Sequence, residues 1–431
     1  MKISRQFVTA SFFFFVLFLS SGAMEAFTAS GAASDNSSGS PMMKALWAAV
    51  YLVVLVMLLR RRGEVLEMVA ANKAFASLVI LAVLSVFWSI EPGATVAKGI
   101  PLLMSALAGM EFARRFTLRE QLQIIWKVLA LVMVLGVIVQ VFFPGLVPQG
   151  GDDEMAATAW HGIVTAKNTW ARLVVLTGVV ILSLPRRTRR NVLSAGFLMV
   201  LIFALLIASE STGGLLIMVE MSVLFLLFGI LRWRRRKALI LLILSCAGIG
   251  IVVCNFILQN FTAFLAMTGK DPTMTGRLPI WRECMRFVRM KPLLGYGYAA
   301  FWTVSSRPAR LIREAVNWDT LPHAHNGSID LLLSLGCVGL FLYFLTNGIA
   351  GWRAVRYVRH NPEADAMWPL AFLAVIFLYQ LDEATIVASN QLIWVLFSSV
   401  IFSLGIEARD LPAPQLPEEE ESLTPELTAA D

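Results

Sequence analysis

Cysteine is scarce, with four residues in a chain of 431. Cys246, Cys254 and Cys337 lie in apolar runs and Cys284 lies in a polar loop. Their spacing fits neither a disulfide framework nor a thiolate metal site, and free cysteines of this kind are expected in the core. Histidine is equally rare, also four. His323 and His325 stand at i and i+2, but no third ligand follows at the spacing zinc sites use, so no metal and no cofactor are expected. No internal repeat is visible, which weighs against transporter folds built from inverted halves. The apolar runs hold almost no charge, and alternate short connections between them hold almost no Lys or Arg.

Hydrophobic sequence is what the chain has in excess. It is 58% hydrophobic, with a mean hydropathy of +0.72. Apolar runs of about 18 residues or more recur along its length, the signature of an all-α polytopic membrane protein. About twelve spans are expected, near 7–24, 42–59, 73–90, 94–112, 122–143, 169–184, 192–208, 213–231, 238–258, 327–350, 366–381 and 391–406. Basic clusters fall on alternate connections: Arg60–Glu64, Arg114–Arg119, Arg186–Arg190, Arg232–Lys237 and Arg353–His360. The positive-inside rule makes these cytoplasmic, and with them both termini. The net charge of +7 is thus assigned to topology, and no nucleic-acid partner is expected.

The chain divides into a first span and flexible outer loop (1–41), membrane helices (42–258), a long outer loop between spans 9 and 10 (259–326), further helices (327–406) and an acidic, Pro-rich cytoplasmic tail (407–431). The first apolar run, after Lys2 and Arg5, also fits a signal peptide cleaved after Ala23. A span is the preferred reading.

The long outer loop breaks the charge pattern. From Gln259 to His325 it holds nine basic residues against four acidic ones, a net charge of +5. Insertion tolerates such a loop but does not require it. An anionic ligand at the outer surface explains the charge, and so does attraction to lipid headgroups. Within it, TGRLPIWRECMRFVRMKP reads as an amphipathic helix stopped by Pro292. Ile280, Trp281, Cys284, Phe287 and Val288 form one face, and Arg282, Arg286 and Arg289 another. Arg277 stands at the helix start, where free N–H groups also favour anions, and arginine's planar fork suits phosphate. The loop ends in LPHAHNGSIDLLL, a polar knot of His323, His325, Asn326 and Asp330 entering an apolar helix that Asn326 or Ser328 can cap. Smaller outer connections place His161, Lys167 and Asn168 before one span, Glu210 between two others, and Asp382 and Glu383 after a third. Ionisable groups at span ends are interfacial or line a cavity.

TGRLPIW, KPLLGYGYAAFW and HAHNGSIDLLLSLGCVGLFLYF, with the weaker echoes VFWSIEPGAT and WHGIVTAKN, resemble the superfamily of O-antigen ligases and exopolysaccharide polymerases. The resemblance is strongest from Thr275 to Phe344. It implies a GT-C-like membrane glycosyltransferase at the periplasmic face of the bacterial inner membrane. Such an enzyme moves a glycan from undecaprenyl diphosphate to an acceptor hydroxyl, without metal or nucleotide sugar. Arg277 matches the family's loop arginine and would stabilise the diphosphate leaving group. His325 matches the family's histidine before Asn and would deprotonate or orient the attacking hydroxyl. Asn326 and Asp330 would fix its tautomer. His323, Arg282, Lys167, Asn168 and Glu210 are the remaining candidates for binding substrate. A single displacement would invert the anomeric carbon.

One departure stands out. Many ligases carry Ser-x-Ser-Arg in the short outer connection, where this chain reads SEST, with Thr212 in place of arginine. Lys167 would then supply the missing charge. The Lys-Asn pattern and the Thr variant tilt the resemblance towards exopolysaccharide polymerase. The implied partners are an undecaprenyl diphosphate-linked donor, a glycan or lipid A-core acceptor, membrane lipids and other polysaccharide export proteins. A ligase, a transporter or flippase of a lipid-linked sugar, and a non-catalytic export subunit are the competing readings.

Overall fold

The computed structural model describes residues 5–24, 40–144, 159–185, 188–231, 277–361, 363–382 and 387–410. Among them every regular element is helical. The chain opens with α1 (Arg5–Ser20) and α2 (Pro41–Leu59), then turns through a short α3 (Arg62–Ala71) into α4 (Lys73–Leu84). Next come α5 (Pro92–Arg115), α6 (Leu118–Phe142), α7 (Lys167–Ser183), α8 (Arg189–Ala208) and α9 (Thr212–Leu231). Two shorter helices, α10 (Arg277–Met290) and α11 (Arg307–Val316), precede α12 (Gly327–His360), α13 (Trp368–Asp382) and α14 (Leu392–Asp410).

Local sequence sets these boundaries. Ser40 caps α2, accepting from Met43 N at 3.2 Å ahead of Pro41 in the first turn. Thr117 and Glu120 close a reciprocal capping box on α6. Asn72 separates α3 from α4, which meet at 99°. Expected spans correspond to helices except near 238–258, which lies outside the described residues, as do 259–276, Glu383 and the chain after Asp410. Seven described helices are long and apolar enough to cross a membrane, eight if the bent α3–α4 pair counts as one. Arg5–Ser20 and Thr212–Phe225 are apolar but shorter.

Burial grades from the centre of the bundle outward. In α14, 78% of the span is buried, against 17% in α8. The open face of α8 presents Val192, Leu193, Phe197 and Val200, as a lipid-facing helix does. At the centre, α5 and α14 approach closely. A Cβ on Gly109 would lie 2.4 Å from the Val395 carbonyl oxygen, and Ser398 Oγ and Trp394 Nε1 donate to the Ala106 and Leu102 carbonyls at 2.6 and 3.0 Å. Small residues and hydrogen bonds do the packing that hydrophobicity alone cannot do in lipid.

Carboxylates gather several arginines at one end of the bundle. Arg114 meets Glu111 at 2.7 Å and Glu64 at 2.8 Å, Arg119 meets Asp365 and Glu363, and Arg409 meets Glu67 at 3.0 Å. The polar knot of His323 and His325 lies at the opposite end, where α12 begins.

The expected span 327–350 is longer and less regular than its hydropathy implies. Gly336, inside α12, adopts φ 64° and ψ −165° and breaks the helix. The segment Pro292–Gly297 docks into that break. Cys337 N and Val338 N donate to the Pro292 and Leu293 carbonyls at 2.7 and 3.2 Å, and Tyr296 N and Gly297 N donate to Leu333 and Ser334 O at 2.8 and 3.0 Å. Four of the backbone groups at the break are thus satisfied by the strap, as buried backbone requires. What reads as a Gly- and aromatic-rich turn is an inserted strap that fixes the half-helix Gly327–Leu335 beneath the polar knot. Cys337, expected in the core, is exposed on α12, whereas Cys284 is buried.

Candidate functional site

The knot is held from every side. Asn326 Oδ1 accepts from Ser328 N and Ile329 N at 3.0 and 3.1 Å and caps α12. Asp330 accepts from Trp302 Nε1 at 2.6 Å and, with both oxygens, from Ala324 N at 3.1 and 3.2 Å. Ala324 O in turn accepts from Trp281 Nε1 at 2.8 Å. Arg313, on α11, donates to Leu321 O at 3.0 Å and Trp302 O at 2.9 Å. These bonds make Asn326 and Asp330 supports of the loop backbone, where the expectation had them orienting the His325 ring.

His325 is placed with some strain. Its φ is 49°, in the left-handed region that costs a residue with a side chain about 1–2 kcal/mol. Its ring stacks on Trp318, 5.5 Å between centroids at 20°, and lies 4.2 Å from the ring of His323. The backbone N–H of His325 donates to His323 Nδ1 at 3.1 Å. A ring nitrogen that accepts carries no hydrogen, so this bond places the hydrogen of His323 on Nε2. His323 therefore helps to hold the backbone of His325.

Arg277 is the first residue of α10 and is half-buried. Trp281 lies one turn on, at i+4, so Arg277 shares the face whose tryptophan holds the His325 loop. Arg282 is exposed and turned by about 100° from Trp281, next to the Arg286–Glu283 ion pair. The buried face of α10 is Ile280, Cys284 and Val288, with Trp281 and Phe287 packed against it, as the periodicity predicts. Burial pushes the Cys284 thiol up, and the Asp330 and Glu283 carboxylates add to the effect, so this cysteine is an inert packing group.

Lys167, Asn168 and Glu210 gather at a second point. Lys167 and Asn168 open α7, Asn168 Oδ1 accepts from Ser211 Oγ at 3.2 Å, and Glu210 takes a left-handed φ of 54° beside it. This cluster and the knot lie on helices that both pack against α13, which contacts α7, α9 and α12.

Two residues escaped the sequence reading. Gln380, near the end of α13, is only 4% exposed, and its carbonyl oxygen has no hydrogen-bond partner among the described residues. Its amide abuts Gly327, where a Cβ would lie 2.3 Å from Oε1, two residues after His325. Arg172 lies five residues into α7, about 7.5 Å below Lys167. It reaches Thr169 Oγ1 at 3.5 Å, while its Nε is buried without a hydrogen-bond partner among the described residues. The available signal was a lone polar residue in each apolar run, and charge inside a span is costly unless something uses it.

Comparison with known proteins bears on what this arrangement is. The family model described as O-antigen ligase matches residues 197–344, which take in α8 to the first half of α12, with Arg277, the strap and the knot. Over this segment the chain resembles the O-antigen ligase family. It is 23% identical over 291 residues to the exopolysaccharide production protein ExoQ of Rhizobium meliloti, a match covering 65% of this chain and 64% of that protein. It is 33% identical over 75 residues to a protein of Rickettsia felis named "Putative polysaccharide ligase", covering 17% and 18% of the two chains. The chain thus spans less than two thirds of the length of these curated relatives. The apolar helices together support a multi-pass membrane protein.

Proposed function

We propose that this protein polymerises undecaprenyl diphosphate-linked oligosaccharide repeat units at the periplasmic face of the inner membrane, by metal-independent, inverting glycosyl transfer. The observation that carries the reading is the strained, clamped His325 held one helical contact away from the start of α10, where Arg277 stands. The attacking sugar hydroxyl gives its proton to the His325 ring as its oxygen bonds to the anomeric carbon. The bond from that carbon to the diphosphate breaks at the same time, and Arg277 meets the charge that leaves. Lys167 and Arg172 extend the positive surface along α7 for the same diphosphate, in place of the arginine that Thr212 replaces. The similarity to ExoQ over most of the aligned chain favours polymer growth over transfer to lipid A-core.

Replacing Arg172 with glutamine is expected to cut polymer yield about 10- to 100-fold, the range of a lost charge-assisted contact to a charged group. The protein should remain at its normal level in the membrane. Wild-type chain length and yield, measured on gels of extracted polysaccharide, would remove Arg172 from the site.

Gln380 is assigned to a sugar hydroxyl, a donor for its buried carbonyl. Gln380→Leu discards a buried carbonyl oxygen that has no partner among the described residues, so the fold should be about as stable as before. Glycan transfer should nevertheless fall about tenfold. Rescue is expected from Gln380→Glu, which keeps an acceptor oxygen. Equal activity for the leucine and glutamate variants would show that the amide contacts no substrate.

A further inference from the structure

We propose that the end of the bundle opposite His325 holds a binding site for the phosphate headgroup of an anionic phospholipid. The site is a cavity of about 280 Å³ lined by Asn72, Lys73, Phe75, Thr346, Arg353 and Ile401, among others. It opens where the chain turns by 99° between α3 and α4, against α12 and α14. It is separate from the glycan site and does not depend on the reaction proposed there.

Two cations line this cavity and no carboxylate does. Arg353 donates to Asn72 Oδ1 at 2.6 Å and to Ala71 O at 2.7 Å, both neutral acceptors, and it forms no ion pair among the described residues. Lys73 is exposed and forms no ion pair among the described residues. At the same end, Arg114, Arg115, Arg119 and Arg409 each face a carboxylate. A cation drawn partly out of water without a counter-charge is unfavourable, and an anion in the cavity relieves it. Asn72 also leaves the first turn of α4 uncapped, since its Nδ2 donates back to Met68 O at 2.9 Å and its Oδ1 is taken by Arg353. Its free N–H groups add to the preference for an anion.

Position makes that anion a lipid. Arg353 is 26 residues along α12 from Gly327, at most about 39 Å, which places the cavity at the headgroup level of the far leaflet. A stripe of exposed apolar residues runs down α12 to the cavity: Phe341, Phe344, Leu345, Ile349 and Trp352. From Phe341 to Arg353 is about 18 Å of helix, close to the depth of one leaflet's hydrocarbon, about 15 Å. An acyl chain lying on this stripe brings its phosphate to Lys73 and Arg353. Trp352, with the Arg356 guanidinium 4.8 Å over its ring, marks the interface as such aromatics do.

The test is native mass spectrometry and thermal unfolding of the full-length protein in detergent. Phosphatidylglycerol, phosphatidylcholine or inorganic phosphate is added to wild type, Lys73→Gln, Arg353→Gln and Arg409→Gln. Phosphatidylglycerol is expected to stay bound and to raise the unfolding temperature. Phosphatidylcholine and inorganic phosphate should do neither at equal concentration. Lys73→Gln touches no hydrogen bond of the fold and should weaken phosphatidylglycerol binding about fivefold, the weight of one basic residue at a lipid surface. Arg409→Gln, which removes a paired arginine at the same end, should leave binding unchanged. Arg353→Gln is expected to weaken binding further, and if it unfolds, the lysine variant still decides. Equal binding of the two lipids, equal loss in Lys73→Gln and Arg409→Gln, or full stabilisation by inorganic phosphate alone would overturn the proposal.

Discussion

His325→Ala is expected to stop glycan transfer while the protein stays in the membrane at wild-type level, and Arg277→Ala is expected to do the same. A positioned base contributes about 10²–10⁴-fold to a rate, and loss of a fixed donor that meets developing charge costs about 10²–10³-fold. Either loss is large enough to remove visible polymer. The two variants differ in detail. His325→Ala removes the proton acceptor and leaves donor binding intact, so bound lipid-linked donor should persist without turnover. Arg277→Ala weakens the hold on the diphosphate and should lower donor affinity as well as rate. His323→Ala is milder and different in kind. It removes the acceptor of the His325 N–H bond, so the left-handed backbone at 325 loses a restraint and activity should fall without vanishing. Normal polymer from His325→Ala, with normal protein level, would contradict the assignment.

Gly336→Ala disrupts the site without touching a substrate group. At φ 64° and ψ −165° the backbone is in a region essentially reserved for glycine. A Cβ there would lie 2.2 Å from the Leu293 carbonyl oxygen and 2.3 Å from its carbon. Those atoms belong to the strap and cannot swing aside as a side chain could. Strain and overlap together cost about 3 kcal/mol or more. The expected outcome is a strap driven out of the α12 break, with a lower unfolding temperature and lost transfer. Gly348→Ala is the control on the same helix, because nothing lies within 4 Å of a Cβ there and alanine favours helix. If Gly336→Ala unfolds at the wild-type temperature and keeps activity, the inserted strap is not what holds the half-helix.

Much of this was legible in the sequence. The apolar runs named most of the helices, and the i, i+4, i+7 arginines of α10 correctly opposed Ile280, Cys284 and Val288, because an amphipathic surface helix writes its period into the chain. Asn326 as a cap followed from residue type. The break at Gly336 did not, because LLLSLGCVGL is apolar on both sides and hydropathy cannot register a backbone that turns between two apolar halves. Nor did α11, whose Ser306 cap, accepting from Ala309 N at 3.4 Å, and second-position proline are start signals hidden in a basic loop. The roles of Asp330 and Arg313 depend on Trp302, Ala324 and Leu321, contacts that fold geometry creates and spacing does not encode. Gln380 and Arg172 are single polar residues in apolar runs, and only burial set them apart from interfacial ones.

The most direct test of the glycan-polymerase account is a reconstitution. Purified full-length protein is given undecaprenyl diphosphate-linked repeat units, with His325→Ala in parallel, and the products are separated on a gel. A ladder of lengthening products that is absent in the variant is the predicted result. Donor consumed only after lipid A-core is added, or donor left untouched by the wild-type protein, would contradict it.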